Sequence, residues 1–350
     1  MSLYVDIYKK MGSFELNVCF EAHNNVTAIL GASGCGKSMT LKCIAGIEKP
    51  DRGIIRQDGR VLFDSTAKIN VPARLRNVGY LFQDYALFPN MTVRKNILCA
   101  MSSKDEKLFK ELCERFFISE LTEHYPWQLS GGQKQRVALA RMFAANPETV
   151  LLDEPFSALD SFLKWQLEQE LLSVFESYDK PFLYVSHDRN EVYRLADNIA
   201  VMEKGSIVET APKEMLFKHP KTLASTILTG CKNFTHVDKI EDYVLYAGDW
   251  GVRIKCDEKI TENIRCAGYR AHYFTVTDTM QEYNCMECEI LKVIKDTFSV
   301  ILVLKGKDVN VNSEWSVIRY ELPYDEWENV QKNEKLYLLI DVNKLIMLEK

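Results

Sequence analysis

The chain has 350 residues, a net charge of −5, and a composition that is 47% hydrophobic and 27% charged. That balance excludes wholesale disorder and is enough to bury one or two sizeable cores, so the length suggests about two domains. The mild acidity argues against a protein that grips nucleic acid through bulk positive charge. No apolar run reaches the roughly 18 residues needed to span a bilayer, and residues 1–10 lack the basic, apolar and small order of an export signal. The expectation is a chain that stays inside the cell. Its ten cysteines are scattered and read as free thiols; Cys285 and Cys288 form a CxxC, but no second pair sits at finger-like spacing, and ordinary thiols are expected there.

In chain order, the first strand candidate is the apolar run 26–30, which leads into Gly31-Ala32-Ser33-Gly34-Cys35-Gly36-Lys37-Ser38, a match to GxxxxGK[ST]. Glycines let the backbone wrap a phosphate with its amides. Lys37 supplies a point charge to the β- and γ-phosphates, and the Ser38 hydroxyl suits Mg²⁺. The helix starting at Ser38, with Met39 in its first turn, adds its positive end. An accidental glycine-rich turn is the competing reading, and the strand before and helix after weigh against it. The run 78–82 is the next strand and ends in Gln83. About residues 84–147 the texture becomes helical and charged, which predicts a helical subdomain inserted into the sheet domain. Within it Leu129-Ser130-Gly131-Gly132-Gln133 precedes a helix stopped by Asn146-Pro147. Ser130 is a good N-cap and the two glycines permit close approach to an anion, although a capped helix and nothing more would look the same.

The run 150–152 ends in Asp153-Glu154, an aspartate for a metal and a carboxylate able to position water. A helix over 161–178 carries Leu163, Leu167, Leu171, Val174, Phe175 and Tyr178 on one face, with Lys164, Glu168 and Glu176 elsewhere, and Pro181 stops it. The run 182–185 ends in Ser186-His187. Alternating short apolar runs and amphipathic stretches predict a largely parallel α/β sheet. In such sheets ligands sit beyond the carboxyl ends of the strands. Gln83, Asp153, Glu154 and His187 each follow a strand into the crevice that holds the phosphate loop. Singly each has a bland alternative; together they favour chemistry. Past about residue 230, the stretches 252–254, 289–293, 299–304 and 336–340 read as strands between polar turns, with no helical stripe of comparable strength. The division predicted is an α/β domain over 1–230 and a small β-rich domain over 231–350.

The phosphate loop, Gln83, LSGGQ at Leu129 to Gln133, LLDEP at Leu151 to Pro155, SALD at Ser157 to Asp160 and His187 occur in an order that resembles the ATP-binding cassette ATPases, over roughly residues 1 to 230. The resemblance implies a P-loop NTPase fold in which two cassettes pair head to tail around two ATP molecules, so that Gly31 to Ser38 of one copy faces Ser130 to Gln133 of the other. It implies Glu154 as general base, Asp153, Ser38 and Gln83 at Mg²⁺, Gln83 as sensor of nucleotide and of a membrane partner, His187 at the γ-phosphate and Asp160 as link between sites. An aromatic stacks on adenine in that family; Phe14 is the choice, with Tyr8 second, and either could equally be core.

With one cassette, no membrane segment and a β-rich tail, the chain resembles the ATPase subunits of binding-protein-dependent importers, peripheral on the cytoplasmic face and coupled to a separate permease and, through it, to a substrate-binding protein. The stretches Val61 to Asp64, Val71 to Gly79, Tyr80 to Pro89 and Leu228 to Asn233, and the tail from Glu287, look most like the molybdate importer subunits. Molybdate or tungstate is the leading cargo; sulfate, iron and polyamine stay open. A soluble cassette protein of DNA repair or translation, and a P-loop kinase or GTPase, fit less of the pattern. In the importer group the tail resembles a regulatory, oligonucleotide-binding-like β-domain, and this tail departs from its oxyanion-binding version: near Arg319 to Tyr324, the acids Glu321, Asp325 and Glu326 would repel an oxyanion unless turned away. A structural or dimer-contact role is expected instead.

Overall fold

The computed structural model describes residues 2–349 apart from 24, 157–160, 179, 308, 310–312 and 334. The chain folds as two compact units, Met1–Lys213 and Glu214–Lys350.

In the first unit the strands are β1 (Leu3–Met11), β2 (Phe14–Ala22), β3 (Val26–Gly31), β4 (Arg52–Gln57), β5 (Arg60–Asp64), β6 (Ile69–Asn70), β7 (Val78–Leu81), β8 (Thr149–Asp153), β9 (Phe182–Ser186), β10 (Asn198–Glu203) and β11 (Ser206–Pro212). They form one sheet in the order β6-β5-β4-β1-β2-β11-β10-β3-β9-β8-β7. Strands β10, β3, β9, β8 and β7 are parallel neighbours, and every residue of β3, β8 and β9 is buried, as expected of strands covered on both faces. The other half corrects the expectation of a largely parallel sheet. β1 pairs antiparallel with β2 and with β4, and β4 with β5. These strands alternate, burying Leu3, Val5, Ile7, Leu16, Val18 and Phe20 on one face, so they lack the unbroken apolar run that marks a buried parallel strand.

The helices are α1 (Lys37–Ala45), α2 (Val93–Leu98), α3 (Glu106–Arg115), α4 (Gly131–Ala144), α5 (Ser161–Ser177) and α6 (Arg189–Leu195). Helices α2 to α4 occupy the stretch read as a helical insert. At the carboxyl end of α1 the guanidinium of the fully buried Arg76 donates to the Cys43 and Ile44 carbonyls at 2.9 and 2.8 Å, supplying donors where the helix runs out of its own. In α5, Leu167, Leu171 and Val174 are buried as the periodicity predicts, but Glu168 is not on a solvent face: it is 1% exposed and forks onto Arg194 of α6 through two 2.7 Å bonds. A salt bridge from the next helix supplies the partner that a buried carboxylate needs.

The second unit opens with α7 (Lys213–Lys218, its first residue in the first unit) and α8 (Leu223–Leu228) and continues as β12 (Asn233–Glu241), β13 (Val244–Ala247), β14 (Val252–Lys255), β15 (Cys266–Tyr269), β16 (Thr275–Thr277), β17 (Cys285–Lys295), β18 (Ser299–Gly306), β19 (Val317–Pro323), α9 (Tyr324–Val330), β20 (Leu336–Leu339) and β21 (Ile346–Leu348). Two five-stranded sheets result, β14-β13-β12-β15-β21 and β16-β20-β17-β18-β19. Trp250, Tyr269, Phe274, Leu302 and Leu338 belong to their shared core. Asn233, fully buried, clamps β12 to both sheets: its amide donates to the Tyr269 and Arg319 carbonyls, and it accepts from the Arg319 N–H. Cys285 and Cys288 are buried on β17 as free thiols, and burial pushes the Cys288 thiol up to about 12. The acidic stretch of the tail is ordered locally. Glu321 accepts from the Ser299 hydroxyl at 3.0 Å, and Asp325 and Glu326 sit in the first turn of α9, where the helix dipole favours them.

Candidate functional site

The parallel half of the sheet delivers four strand ends to one region. β3 runs into the glycine loop and α1, and the loop needs glycine for a steric reason. Gly36 has φ +110°, and a Cβ there would come within 2.7 Å of Leu16 and 3.2 Å of Phe14. The Lys37 ammonium lies 5% exposed and donates to the Gly31 and Ala32 carbonyls at 2.8 and 2.9 Å, folded back over its own loop. Cys35 is buried in the loop, which raises its thiol above the ordinary value and keeps it a packing group.

Phe14, Ser33, Gly34, Gly36, Lys37, Ser38, Met39, Gln83 and Glu154 border a cavity of about 480 Å³, together with Met11. Ser38, Gln83 and Asp153 border an adjoining one of about 430 Å³, with Lys42, Phe82 and Asp84. The Ser38 hydroxyl donates to Asp153 Oδ1 at 2.7 Å. Glu154 follows β8 with φ +47°, a left-handed conformation costly for a residue with a side chain. Its Oε1 lies 3.4 Å from His187 Nδ1, at the end of β9. Phe14 packs on the first unit's core, as its core reading has it, and also borders the cavity. Tyr8 lies beneath the Arg52 guanidinium, 4.6 Å from ring centroid to carbon, and does not border either cavity.

Ser130, Gly131, Gly132 and Gln133 stand apart from both cavities. They start α4 with a reciprocal cap: the Gln133 N–H donates to the Ser130 hydroxyl and the Ser130 N–H to Gln133 Oε1. Gly31, Ala32 and Cys35 shape the loop from behind. Asp160 lies outside the described residues. The sequence reading missed Met11 and Tyr80. Tyr80 donates its phenol to Asp153 Oδ2 at 2.7 Å. Burial, and next the neighbouring carboxylate, push that phenol far above its ordinary value, so it remains a donor. The signal available was its place one strand residue ahead of the Leu-Phe-Gln run.

The oxygen donors Ser38, Asp153 and Gln83, set beside a lysine and a glycine loop, form a hard-ligand set of the kind Mg²⁺ shares with phosphate. The arrangement sets the Glu154 carboxylate at the cavity bordered by the glycine loop, with the His187 imidazole beside it.

The family model described as ABC transporter matches residues 15–157. A molybdate/tungstate import ATP-binding protein of Archaeoglobus fulgidus is 40% identical over 246 residues, 69% of this chain and 100% of that protein. A molybdenum import ATP-binding protein of Paramagnetospirillum magneticum is 40% identical over 223 residues, 62% of this chain, but the match spans only 61% of that relative's length. A Fe(3+) ions import ATP-binding protein of Haemophilus influenzae is 40% identical over 208 residues, 58% of this chain and 59% of that one. Among solved structures, a dimeric ATP-binding cassette in a post-hydrolysis state with ADP and phosphate aligns with TM-score 0.53 and 28% identity, covering 61% of this chain and 99% of its own. The chain belongs to the ABC transporter family, and its first unit has the ABC ATPase P-loop fold. Among the described residues no helix is long and apolar enough to cross a membrane.

Proposed function

We propose that this chain is the ATP-hydrolysing subunit of a binding-protein-dependent importer whose cargo is molybdate or tungstate. The observation that carries the ATPase reading is the pairing of Ser38 with Asp153 and of Glu154 with His187 around one glycine loop. Lys37 exchanges its two loop carbonyls for β- and γ-phosphate oxygens, and the loop amides and the start of α1 hold the remaining charge. Ser38, Asp153 and Gln83 would hold Mg²⁺, which when bound neutralises charge on the β- and γ-oxygens. Glu154 accepts the proton of the attacking water, and His187 holds that carboxylate and faces the γ-phosphate. Phe14, with Met11 beside it, is the wall for adenine.

The Ser130 to Gln133 helix start borders neither cavity of its own chain, which supports a head-to-tail homodimer in which each copy completes its twin's site, with Asp160 as the link. The dimer would sit on the cytoplasmic face of a membrane through a separate permease fed by a substrate-binding protein. Full-length coverage of the molybdate/tungstate relative favours that cargo, while equal identity to the iron relative makes Fe³⁺ the second reading. Reconstitution with the permease decides between them. Stimulation of ATP hydrolysis by molybdate- or tungstate-loaded binding protein is expected, and stimulation by the iron-loaded protein alone overturns the cargo assignment.

A further inference from the structure

Asp153 is 6% exposed, and its two oxygens are engaged from two different elements. Ser38, at the start of α1, donates to Oδ1, and Tyr80, on β7, donates to Oδ2, both at 2.7 Å. Tyr80 lies in register with Leu151 on the neighbouring parallel strand, so its long side chain must lean forward along the sheet to reach a residue two positions further on. Its ring packs against the first unit's core and lies 4.5 Å from the Phe82 ring. Phenylalanine would satisfy that packing equally well; the hydroxyl has its use at the carboxylate. Just past the end of the strand that carries it comes Gln83, which borders both cavities.

We propose that Tyr80 is a positioning residue for the divalent cation: its hydroxyl fixes the Asp153 carboxylate through Oδ2, so that Oδ1 stays turned to Ser38 and the cation, and it couples that carboxylate to the strand that leads to Gln83. A carboxylate held by one hydroxyl can still swing about its Cβ–Cγ bond. A second charge-assisted O–H···O bond selects a single orientation, and a ligand already oriented binds a metal without having to order first. The inference rests on the ATP and Mg²⁺ reading above.

The test measures ATP affinity by titration calorimetry with Mn²⁺ and in EDTA, on a Glu154→Gln background that does not turn over, with the bound Mn²⁺ followed by electron paramagnetic resonance. Tyr80→Phe should lower the gain in ATP affinity that Mn²⁺ confers by about tenfold, the scale typical of partners that orient metal ligands. It should leave metal-free ATP affinity unchanged and broaden the Mn²⁺ spectrum. Tyr80→Met, a second variant without the donor, should behave alike. An unchanged Mn²⁺ gain in both variants overturns the proposal. So does an equal loss of metal-free affinity, which would make Tyr80 a packing residue only. If Mn²⁺ confers no gain with Tyr80 intact, or the gain survives Asp153→Asn, the metal-site reading itself falls and Tyr80 with it.

Discussion

The two units bury polar groups for different purposes. In the second, Asn233, Arg270 and Asp249 serve chiefly the backbone, although Asp249 also meets the His236 ring nitrogen at 2.8 Å. Asn233 joins strands, Arg270 donates to the Thr229 and Phe217 carbonyls at 2.6 Å each, and Asp249 accepts from the His236 N–H. In the first, the buried Asp153 takes hydroxyls from Ser38 and Tyr80, side chain to side chain, beside a cavity, while Lys37 rests on the carbonyls of its own loop and lines the neighbouring one. Buried polarity that closes on the main chain is architecture. In the first unit buried polarity converges, side chain on side chain, beside a glycine loop; in the second, Arg270 also borders a cavity, of about 400 Å³, but spends its guanidinium on the Thr229 and Phe217 carbonyls and the Thr229 hydroxyl.

Glu154→Gln gives the largest effect that would sharpen this contrast. Loss of the proton acceptor should lower ATP hydrolysis at least about 100-fold while ATP-dependent dimerisation persists; unchanged hydrolysis removes Glu154 from its role. In the second unit Trp250→Ala should cost about 3–5 kcal/mol of that unit's stability, the scale for emptying a buried aromatic site, and leave ATP affinity alone. Calorimetry and nucleotide titration on the same sample check both halves, and a matching loss of ATP binding would break the contrast.

A smaller effect lies behind the site. Glu191 on α6 is 4% exposed, 3.2 Å from the Lys164 ammonium, and burial raises its carboxyl from 4.5 to about 7. Because the folded chain holds this proton more tightly than the unfolded chain, the stabilisation is full below pH 4.5 and is lost as pH rises through about 7. Glu191→Gln should therefore gain on the parent protein between pH 5 and pH 8 by up to about 3 kcal/mol, measured by chemical denaturation; a pH-independent difference would contradict the assignment. Smallest is Ser130→Ala, which should cost about 1 kcal/mol through the lost cap, seen as a modest drop in melting temperature.

What could be read without coordinates follows from how local each signal is. The glycine loop, the strand ends at Gln83, Asp153 and His187, and the Ser130 cap are short-range patterns whose meaning a few neighbours supply. The antiparallel half of the sheet was not legible, because β1 pairs β4 across some forty intervening residues and alternates too gently to stand out. The burial of Glu168 could not be foreseen because its partner Arg194 is 26 residues away. Tyr80 looked like one more aromatic in an apolar run until Asp153, 73 residues on, was seen to accept its hydrogen bond.

The reciprocal cap at Ser130 and Gln133 has a kinetic side. Each residue pins the other, so the start of α4 holds its shape before any second molecule arrives, and the Ser130 oxygen accepts from the Gln133 N–H while keeping its own O–H to give. Little freedom is then left to surrender at the moment of encounter. A phosphate edge presented by a twin would meet a rigid donor, and the speed of clasping would be set by how the two bodies find each other and not by loop rearrangement.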